Sequence, residues 1–168
     1  AVYINEYGQI IRNRNRLLKA IAAGQAGRSQ LPYWDKKMLE LGSYILVQRQ
    51  KILADLAPYV NELARINFAS ELADLKLLYV TKFPGQEHRQ VLRQYSEKVA
   101  ASQDKEVIVG QSLYGPHKDD LAINFGGKDL KVFGSRGQQR IATFLLKLAM
   151  WDYLAQLKRI KPVILLDD

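Results

Sequence analysis

The sequence predicts an α/β protein with a helical arm in its first part and strands, a hairpin and a long helix in its last part. Apolar residues recur at helical spacing through roughly the first third of the chain. Alternating apolar runs flank Gly126-Gly127, which suits the positive φ angles of a tight hairpin. Residues 163–166 form a continuous apolar run, typical of a strand buried on both faces. We therefore predict a helical arm with one short strand over residues 1–104 and an α/β part over residues 105–168.

Composition narrows the class of protein. The 168 residues include 25 Lys and Arg against 17 Asp and Glu, so the net charge is +8 and polyanionic partners are favoured. Hydrophobic residues make up 48% of the chain, which excludes wholesale disorder. The chain has no cysteine, which excludes disulfides, thiolate metal sites and cysteine nucleophiles. With neither a membrane-length apolar run nor a signal-peptide pattern, we expect a cytoplasmic protein without a membrane partner.

The first part of the chain is predicted to be mostly helical. Pro58 is expected to kink or break the second helix, because proline lacks an amide donor and clashes one turn back. The predicted elements are, in order, a helix over residues 3–23, a loop closed by Pro32, a long helix from Tyr33 or Trp34, a strand over residues 75–80 and a helix over residues 86–101.

The last part is predicted to contain several strands. Branched or alternating apolar runs indicate them, and a longer amphipathic run indicates one helix. The predicted strands are residues 107–109, 121–125, 130–133 and 163–166, and the helix is residues 138–157.

The segment that opens this last helix is a candidate anion site. Backbone N–H groups at a helix N-terminus attract phosphate, and small residues let the phosphate approach. The hydroxyl of Ser135 could donate to a phosphate oxygen, and Gly137 would leave room for it. The alternative is local: Ser135 and Gln138 have the spacing of a capping box. The two interpretations are compatible.

Two acids follow the last apolar run. Carboxylates at the end of a buried strand lie where open α/β sheets bind ligands. Asp167 could hold Mg²⁺, and Asp168 could orient or deprotonate an attacking water. The alternative is a strand that ends in solvent at two acids.

A third candidate is the polar segment of residues 115–120. Its side chains His117, Asp119 and Asp120 could ligate a hard metal in a hydrolase. A polar turn is favoured over a metal site, because His88 is the only other histidine and no second cluster completes the set.

Basic residues gather near the start of the chain. Guanidinium groups pair well with phosphates, and five such contacts predict a salt slope of about −4 to −5 on duplex DNA. The alternatives are a solvated helix face, or pairing with acids of the next helix such as Glu40. The candidate DNA contacts are Arg12, Arg14, Arg16, Lys19 and Arg28.

Four longer strings of residues, together with the pair Arg14-Asn15 in the first helix, match the pattern of a known family. The strings are residues 114–121 (YGPHKDDL), 133–140 (FGSRGQQR), 146–149 (LKLA) and 164–168 (ILLDD). In order and content they resemble the RecF family of bacterial DNA replication and repair proteins, which are relatives of the SMC proteins.

The resemblance implies a fold and a nucleotide site. It implies a partial ABC-type ATPase head, with a strand, a hairpin, a signature helix and a Walker B strand, and an inserted helical arm called lobe II. ATP would be sandwiched between two heads as a dimer clamp, with Asp167 holding Mg²⁺ and Asp168 as the catalytic carboxylate. The signature residues, acting in trans, would be Ser135, Arg136, Gly137 and Gln138.

The resemblance also implies partners and a biological role. These are DNA at single-strand to double-strand junctions, a homodimer partner, recombination mediator proteins and a recombinase, with ATP and Mg²⁺ as cofactors. The sequence contains no G-x-x-x-x-G-K-[ST] motif. We therefore expect a fragment that does not hydrolyse ATP by itself, from a slow DNA-dependent ATPase. Two alternatives stay open: a non-enzymatic nucleic-acid-binding module on the basic helices, and a metal-dependent hydrolase.

Overall fold

The computed structural model describes residues 2–67, 75–158 and 163–164. The chain forms two compact units, and each is built from two separate stretches. The first unit contains Ala1–Gln50 and Thr81–Asp120, and the second contains Lys51–Val80 and Leu121–Asp168. This division differs from the predicted boundary near residue 104, because the chain leaves the first unit and returns to it.

The first unit is helical. Helix α1 spans Val2–Ala22 and helix α3 spans His88–Val109. Helix α2 spans Leu31–Asn67 and contributes its first 20 residues to this unit. A single 3₁₀ turn, Arg28–Gln30, precedes α2. The predicted first helix is confirmed, and Pro32 lies in the first turn of α2 rather than in the loop, where proline is well tolerated.

The predicted strand at residues 107–109 is wrong. These residues form the end of α3, which Gly110 terminates in the left-handed conformation at φ 69°. Its N–H donates to the carbonyls of Glu106 and Val107. The run is not buried as a strand would be: Val107 packs on Leu17 and Leu18, whereas Ile108 is 82% exposed. Packing of one helix face therefore overrides the β-propensity of three branched residues.

The second unit combines a small sheet with helices. Strand β1 spans Leu75–Val80, β2 spans Asp120–Phe125 and β3 spans Lys128–Asp129, in the order β1-β2-β3. Strands β2 and β3 are antiparallel, with Phe125 opposite Lys128. Gly126 and Gly127 join them at φ 54° and 77°, as the predicted hairpin requires.

The predicted strand at residues 130–133 is also wrong. Leu130–Phe133 is a one-turn helix, α4. The Asp129 carboxylate caps it by accepting the Lys131 N–H at 2.9 Å, and the Gly134 N–H closes it on the Leu130 carbonyl at 3.0 Å. Asp129 at the start and Gly134 at the end favour the helix, because each provides a hydrogen-bond partner for a backbone group of this turn. In a strand, these backbone groups would need partners on a neighbouring strand.

Helix α5 spans Arg136–Lys158 and forms one wall of the second core. Its buried face is centred on Ala142, Leu145 and Ala149, whereas Phe144 is 39% exposed. These side chains pack on the second half of α2, on β1 and on α4. The buried partners are Leu56, Val60, Ala64, Leu75 and Leu130.

Two further predictions concern the continuity of the chain. Helix α2 is not broken at Pro58, which lies inside it; buried Leu56 and Val60 hold the helix on either side of the proline. The predicted strand at residues 163–166 falls mostly outside the described residues. Val163 and Ile164, which are described, carry no regular secondary structure, and Val163 is 85% exposed. Within the described part of the chain, no helix is long and apolar enough to cross a membrane.

Candidate functional site

The opening of α5 forms a capping box. The Ser135 N–H donates to Oε1 of Gln138 at 2.9 Å, and the Gln138 N–H donates to Oγ of Ser135 at 3.2 Å. Each residue thus satisfies a backbone donor that the helix start leaves without an intrahelical acceptor. The local interpretation of this motif is confirmed.

The capping box does not use all the hydrogen-bonding capacity of the helix opening. Oγ of Ser135 is an acceptor in the box, so its own proton can be donated to another group. Ser135, Arg136 and Gly137 are all exposed to solvent. A hydroxyl donor, a cationic side chain and a helix N-terminus therefore lie together on the surface, which is the chemistry that binds phosphate.

The packing of the chain itself does not explain Gly137. A Cβ built at this position would meet only Oγ of Ser135, at 3.9 Å. Glycine in a helix costs about 1 kcal/mol relative to alanine, so an open helical position without a steric demand favours alanine. A glycine here is explained if another molecule approaches the backbone at this point.

A cavity borders this helix opening. Its volume is about 270 Å³, and the β2–β3 hairpin forms its other side. Lys128 adds a positive charge, and Phe133 adds an aromatic ring that is 69% exposed. Sequence reasoning missed Lys128, although its position in the hairpin just before the motif was a usable signal, whereas Phe133 was already the first residue of the 133–140 string. The lining residues are Phe125, Gly126, Lys128, Leu130, Phe133, Gly134 and Gln138.

The predicted acids are not placed by the structure. Asp167 and Asp168 lie outside the described residues, so their role stays a prediction. In the parts of the chain that the structure describes, no three His, Asp or Glu side chains come together as a metal site would need. The metal-hydrolase alternative on His117, Asp119 and Asp120 thus finds no support in the geometry.

His117 instead holds a turn in the first unit. Its Nε2 lies 3.2 Å from the Ser112 carbonyl, which can only accept, so Nε2 carries the proton of the neutral ring. Its Nδ1 lies 3.0 Å from the hydroxyl of Tyr7 on α1, and that hydroxyl lies 3.1 Å from the hydroxyl of Tyr95 on α3. On α2, Arg49 donates to the Pro116 carbonyl at 2.6 Å. The segment of residues 115–120 therefore braces three helices.

We expect this brace to weaken in mild acid. Burial lowers the pKa of His117 below its usual 6.5, and the positive charges of Lys118 and Arg14 act in the same direction against the hydrogen bond to Ser112. The unfolded chain then binds a proton more readily than the folded one, so stability is present above pH 6.5 and is lost as the pH falls through the folded pKa. Urea unfolding at pH 7.5 and 5.5 measures this loss. His117→Gln should reduce this loss of stability; an equal loss in the variant and the wild type would contradict the assignment.

The basic residues near the start of the chain do not form one surface. Arg14 is fully buried, which corrects its placement on an exposed basic face. Its Nε donates to Oδ1 of Asp35 and its Nη2 to Oε2 of Glu106, both at 2.7 Å. These two carboxylates outweigh the effect of burial and raise the pKa of the guanidinium. A signal was present, because Arg14 continues the buried stripe of Tyr7, Ile10 and Ile11 at helical spacing.

The remaining basic residues differ in their surroundings. Arg28 pairs with Asp104 at 2.5 Å, and Glu40, the expected acid partner, lies 4.0 Å from Lys36 instead. Arg12, Arg16 and Lys19 on α1 are exposed, as a polyanion-binding surface requires. Their contact with DNA stays a prediction.

The chain is similar to known proteins over nearly its whole length. It is 32% identical over 166 residues to the DNA replication and repair protein RecF of Heliobacterium modesticaldum, covering 98% of this chain and 44% of that protein. It is 35% identical over 165 residues to RecF of Moorella thermoacetica, covering 98% of this chain and 42% of that one. The chain thus spans less than half the length of these relatives. No family model matches it.

Solved structures agree with the sequence relatives. A structure described as the recombination mediator protein RecF-ATPrS in the RecFOR pathway matches with a TM-score of 0.90 and 27% identity, over 99% of this chain and 45% of that one. The corresponding RecF-ATP structure matches with a TM-score of 0.89 at the same identity and coverage. The fold class predicted from the sequence, an α/β protein with a helical arm, is confirmed by these matches.

Proposed function

We propose that this chain, which belongs to the RecF family by its similarity along 98% of its residues, is part of an ATP-dependent DNA-binding protein of recombinational repair. The observation that carries the proposal is the helix opening at Ser135, Arg136 and Gly137. It is exposed, it keeps a hydroxyl donor for another molecule, and its glycine has no packing reason within the chain. This combination suits the γ-phosphate of a bound ATP.

The ATP would come from a second copy of the protein. The hydroxyl of Ser135 and the backbone N–H of Gly137 would donate to the γ-phosphate, and the positive end of α5 would favour its charge. Arg136 adds a cation beside it, and Gln138 holds Ser135 in place through the capping box. Hydrolysis removes the γ-phosphate and these contacts with it, so ATP acts as a clamp between two copies.

The roles proposed for the acids at residues 167 and 168 come from the family resemblance. Asp167 would ligate Mg²⁺ and Asp168 would be the catalytic carboxylate, since carboxylate oxygens are preferred Mg²⁺ ligands. The partners would be DNA at single-strand to double-strand junctions, recombination mediator proteins and the recombinase they load. The protein would work in the cytoplasm as an ATP-dependent homodimer with slow, DNA-dependent hydrolysis.

Ser135→Arg tests the clamp. We expect this change to abolish ATP-dependent dimerisation of the full-length protein that carries this sequence. The larger side chain fills the space for the γ-phosphate and removes the hydroxyl donor. Sedimentation velocity with and without ATP measures the effect. Dimerisation that persists undiminished would show that the signature assignment is wrong.

Gly137→Ala is a sharper variant because the chain has room for the methyl group. We expect the free energy of unfolding to stay within about 0.5 kcal/mol of wild type or to rise, since alanine is the better helix former. ATP-dependent dimerisation should nevertheless weaken at least about tenfold, because a phosphate contact is worth roughly 1.5–3 kcal/mol. Gly27→Ala is the control, because a Cβ on Gly27 would meet nothing within 4 Å and Gly27 has no positive φ. Equal dimerisation of both variants would contradict the proposal.

A nucleic-acid-binding module without nucleotide chemistry is the second candidate. The exposed side chains of Arg12, Arg16 and Lys19 favour it. With Arg14 buried and Arg28 paired, three phosphate contacts predict a salt slope of about −3 rather than −5. DNA binding measured against salt, with and without ATP, separates the two candidates. Binding that ATP leaves unchanged, and that falls when all three residues are replaced by Gln, would favour the module.

A further inference from the structure

Gln139, which follows the signature residues, contacts three backbone carbonyls. Its side-chain Nε2 lies 2.8 Å from the Leu130 oxygen, 3.2 Å from the Gly134 oxygen and 3.5 Å from the Lys131 oxygen. Carbonyl oxygens can only accept, so the nitrogen of this amide must face them. The side chain of Gln139 therefore donates to carbonyls at the end of α4 and just after it, where the Leu130 oxygen also accepts the Gly134 N–H at 3.0 Å.

The corner between α4 and α5 is tightly closed. A Cβ on Gly134 would lie 2.6 Å from the Leu130 oxygen and 2.8 Å from Cδ2 of Leu130. The φ angle of Gly134 is an ordinary −79°, so space rather than backbone conformation requires glycine here. At this crowded corner the Gly134 N–H and the side-chain amide of Gln139 supply donors to the carbonyls.

Gln139 holds the backbone on both sides of Ser135. Its side chain binds the carbonyl of Gly134, which precedes the serine, and its own N–H donates to the carbonyl of Ser135 at 3.0 Å. These two carbonyls belong to the peptide groups before and after the Cα of Ser135. Fixing both peptide groups fixes the backbone dihedrals of the serine, and with them the direction from which Oγ leaves the chain.

We infer that Gln139 is a positioning residue for the signature serine, an inference that rests on the proposed function. Its amide locks the α4–α5 corner so that the Ser135 hydroxyl is already aimed at the incoming phosphate. Without the lock, the corner would have to be ordered when the second copy binds, and small displacements of a positioned group have large effects on what it binds. Gln139 touches no phosphate itself; it acts through Ser135.

The test uses three variants in the full-length protein. Gln139→Met keeps the length and neutrality of the side chain but removes both donors, and Gln139→Glu also removes the donors while adding a charge. Gln139→Lys restores donors to the same carbonyls. We measure the ATP concentration that gives half-maximal dimerisation, and the ATP affinity of the monomer at protein concentrations too low for dimers.

We expect Gln139→Met and Gln139→Glu to raise the ATP concentration for half-maximal dimerisation about tenfold. For Gln139→Lys this concentration should stay within about threefold of wild type. The ATP affinity of the monomer should not change in any variant, because the serine acts on a nucleotide held by the other copy. Rescue by Gln139→Lys would show that donors to these carbonyls, rather than the shape of the glutamine side chain, are what dimerisation requires. If the Met variant does not fold, the Glu variant decides the same question.

Three outcomes would overturn the inference. Gln139→Met and Gln139→Glu could dimerise like wild type, Gln139→Lys could be as weak as they are, or the ATP affinity of the monomer could fall with dimerisation. Ser135→Arg, measured in parallel, separates a failure of the proposed clamp from a failure of the role of Gln139. If Ser135→Arg also dimerises normally, the proposed clamp itself is wrong. If Ser135→Arg does not dimerise while Gln139→Met dimerises normally, only the role of Gln139 is wrong.

Discussion

Arg14→Met is expected to lower the free energy of unfolding by about 3–5 kcal/mol, the usual effect of removing one partner of a buried ion pair. Both Arg14 and Glu106 have fully buried side chains, 2.7 Å apart. Without the guanidinium, the carboxylate of Glu106 stays buried and keeps the N–H of Leu113 as a donor at 2.7 Å. The uncompensated charge, rather than the lost attraction, accounts for most of the effect.

The rest of the network enlarges this effect. Nη1 of Arg14 donates to Oγ of Ser112 at 2.8 Å, and that hydroxyl in turn donates to Oδ1 of Asn15 at 2.8 Å. The same Asn15 oxygen accepts the backbone N–H of Ser112 at 2.8 Å. Arg14 and Asn15 on α1 thus hold the segment that follows α3. Loss of the arginine leaves several buried polar groups to find new partners at once.

Urea unfolding of single and double variants measures the effect. Arg12→Met is the matched control: the same change on the same helix at an exposed position should alter stability by no more than about 0.5 kcal/mol. Arg14→Met combined with Glu106→Gln should lose less than the sum of the two single changes, because neither charge is then left alone. Additive losses would show that the two residues do not stabilise the fold as a pair.

Gly115→Ala is expected to destabilise the first unit by about 2–5 kcal/mol, the sum of backbone strain and overpacking. Gly115 has φ 124°, a conformation that side chains rarely adopt. A Cβ here would also collide with the hydroxyl oxygens of Tyr7 and Tyr95. Those hydroxyls belong to the chain of hydrogen bonds that ends at His117, so the methyl group would break the brace between α1 and α3.

Gly126→Ala separates strain from collision. Gly126 also has a positive φ, 54°, but a Cβ there would meet nothing within 4 Å. This control should therefore lose only about 1–2 kcal/mol, the backbone penalty alone. Thermal and urea unfolding of both variants measure the difference. Equal losses at the two positions would mean that the close approach of the tyrosines to Gly115 does not matter for stability.

Much of the fold follows from local pattern. The amphipathic spacing of α1, the Gly126-Gly127 turn and the Ser135–Gln138 capping box depend on residues within a few positions of one another. Their conformations are therefore readable from the sequence. The two wrong strands show where local pattern is not enough. Residues 107–109 and 130–133 have strand-like composition, yet Gly110 and Asp129 cap them as helices that pack into the two cores.

The amphipathic pattern of the long helices, the hairpin turn, the capping box and the family resemblance could all be recognised in the sequence, because each depends on near neighbours or on the order of motifs. Which basic residue is buried could be seen only in the folded chain. Arg12, Arg14 and Arg16 are alike as sequence, but α2 and α3 bring Asp35 and Glu106 to Arg14 alone. Likewise, only the folded chain shows that Gly115 and Gly134 are required by packing and that Gly137 is not. Burial and close approach arise between segments far apart in the chain, so the pattern around any one residue does not contain them.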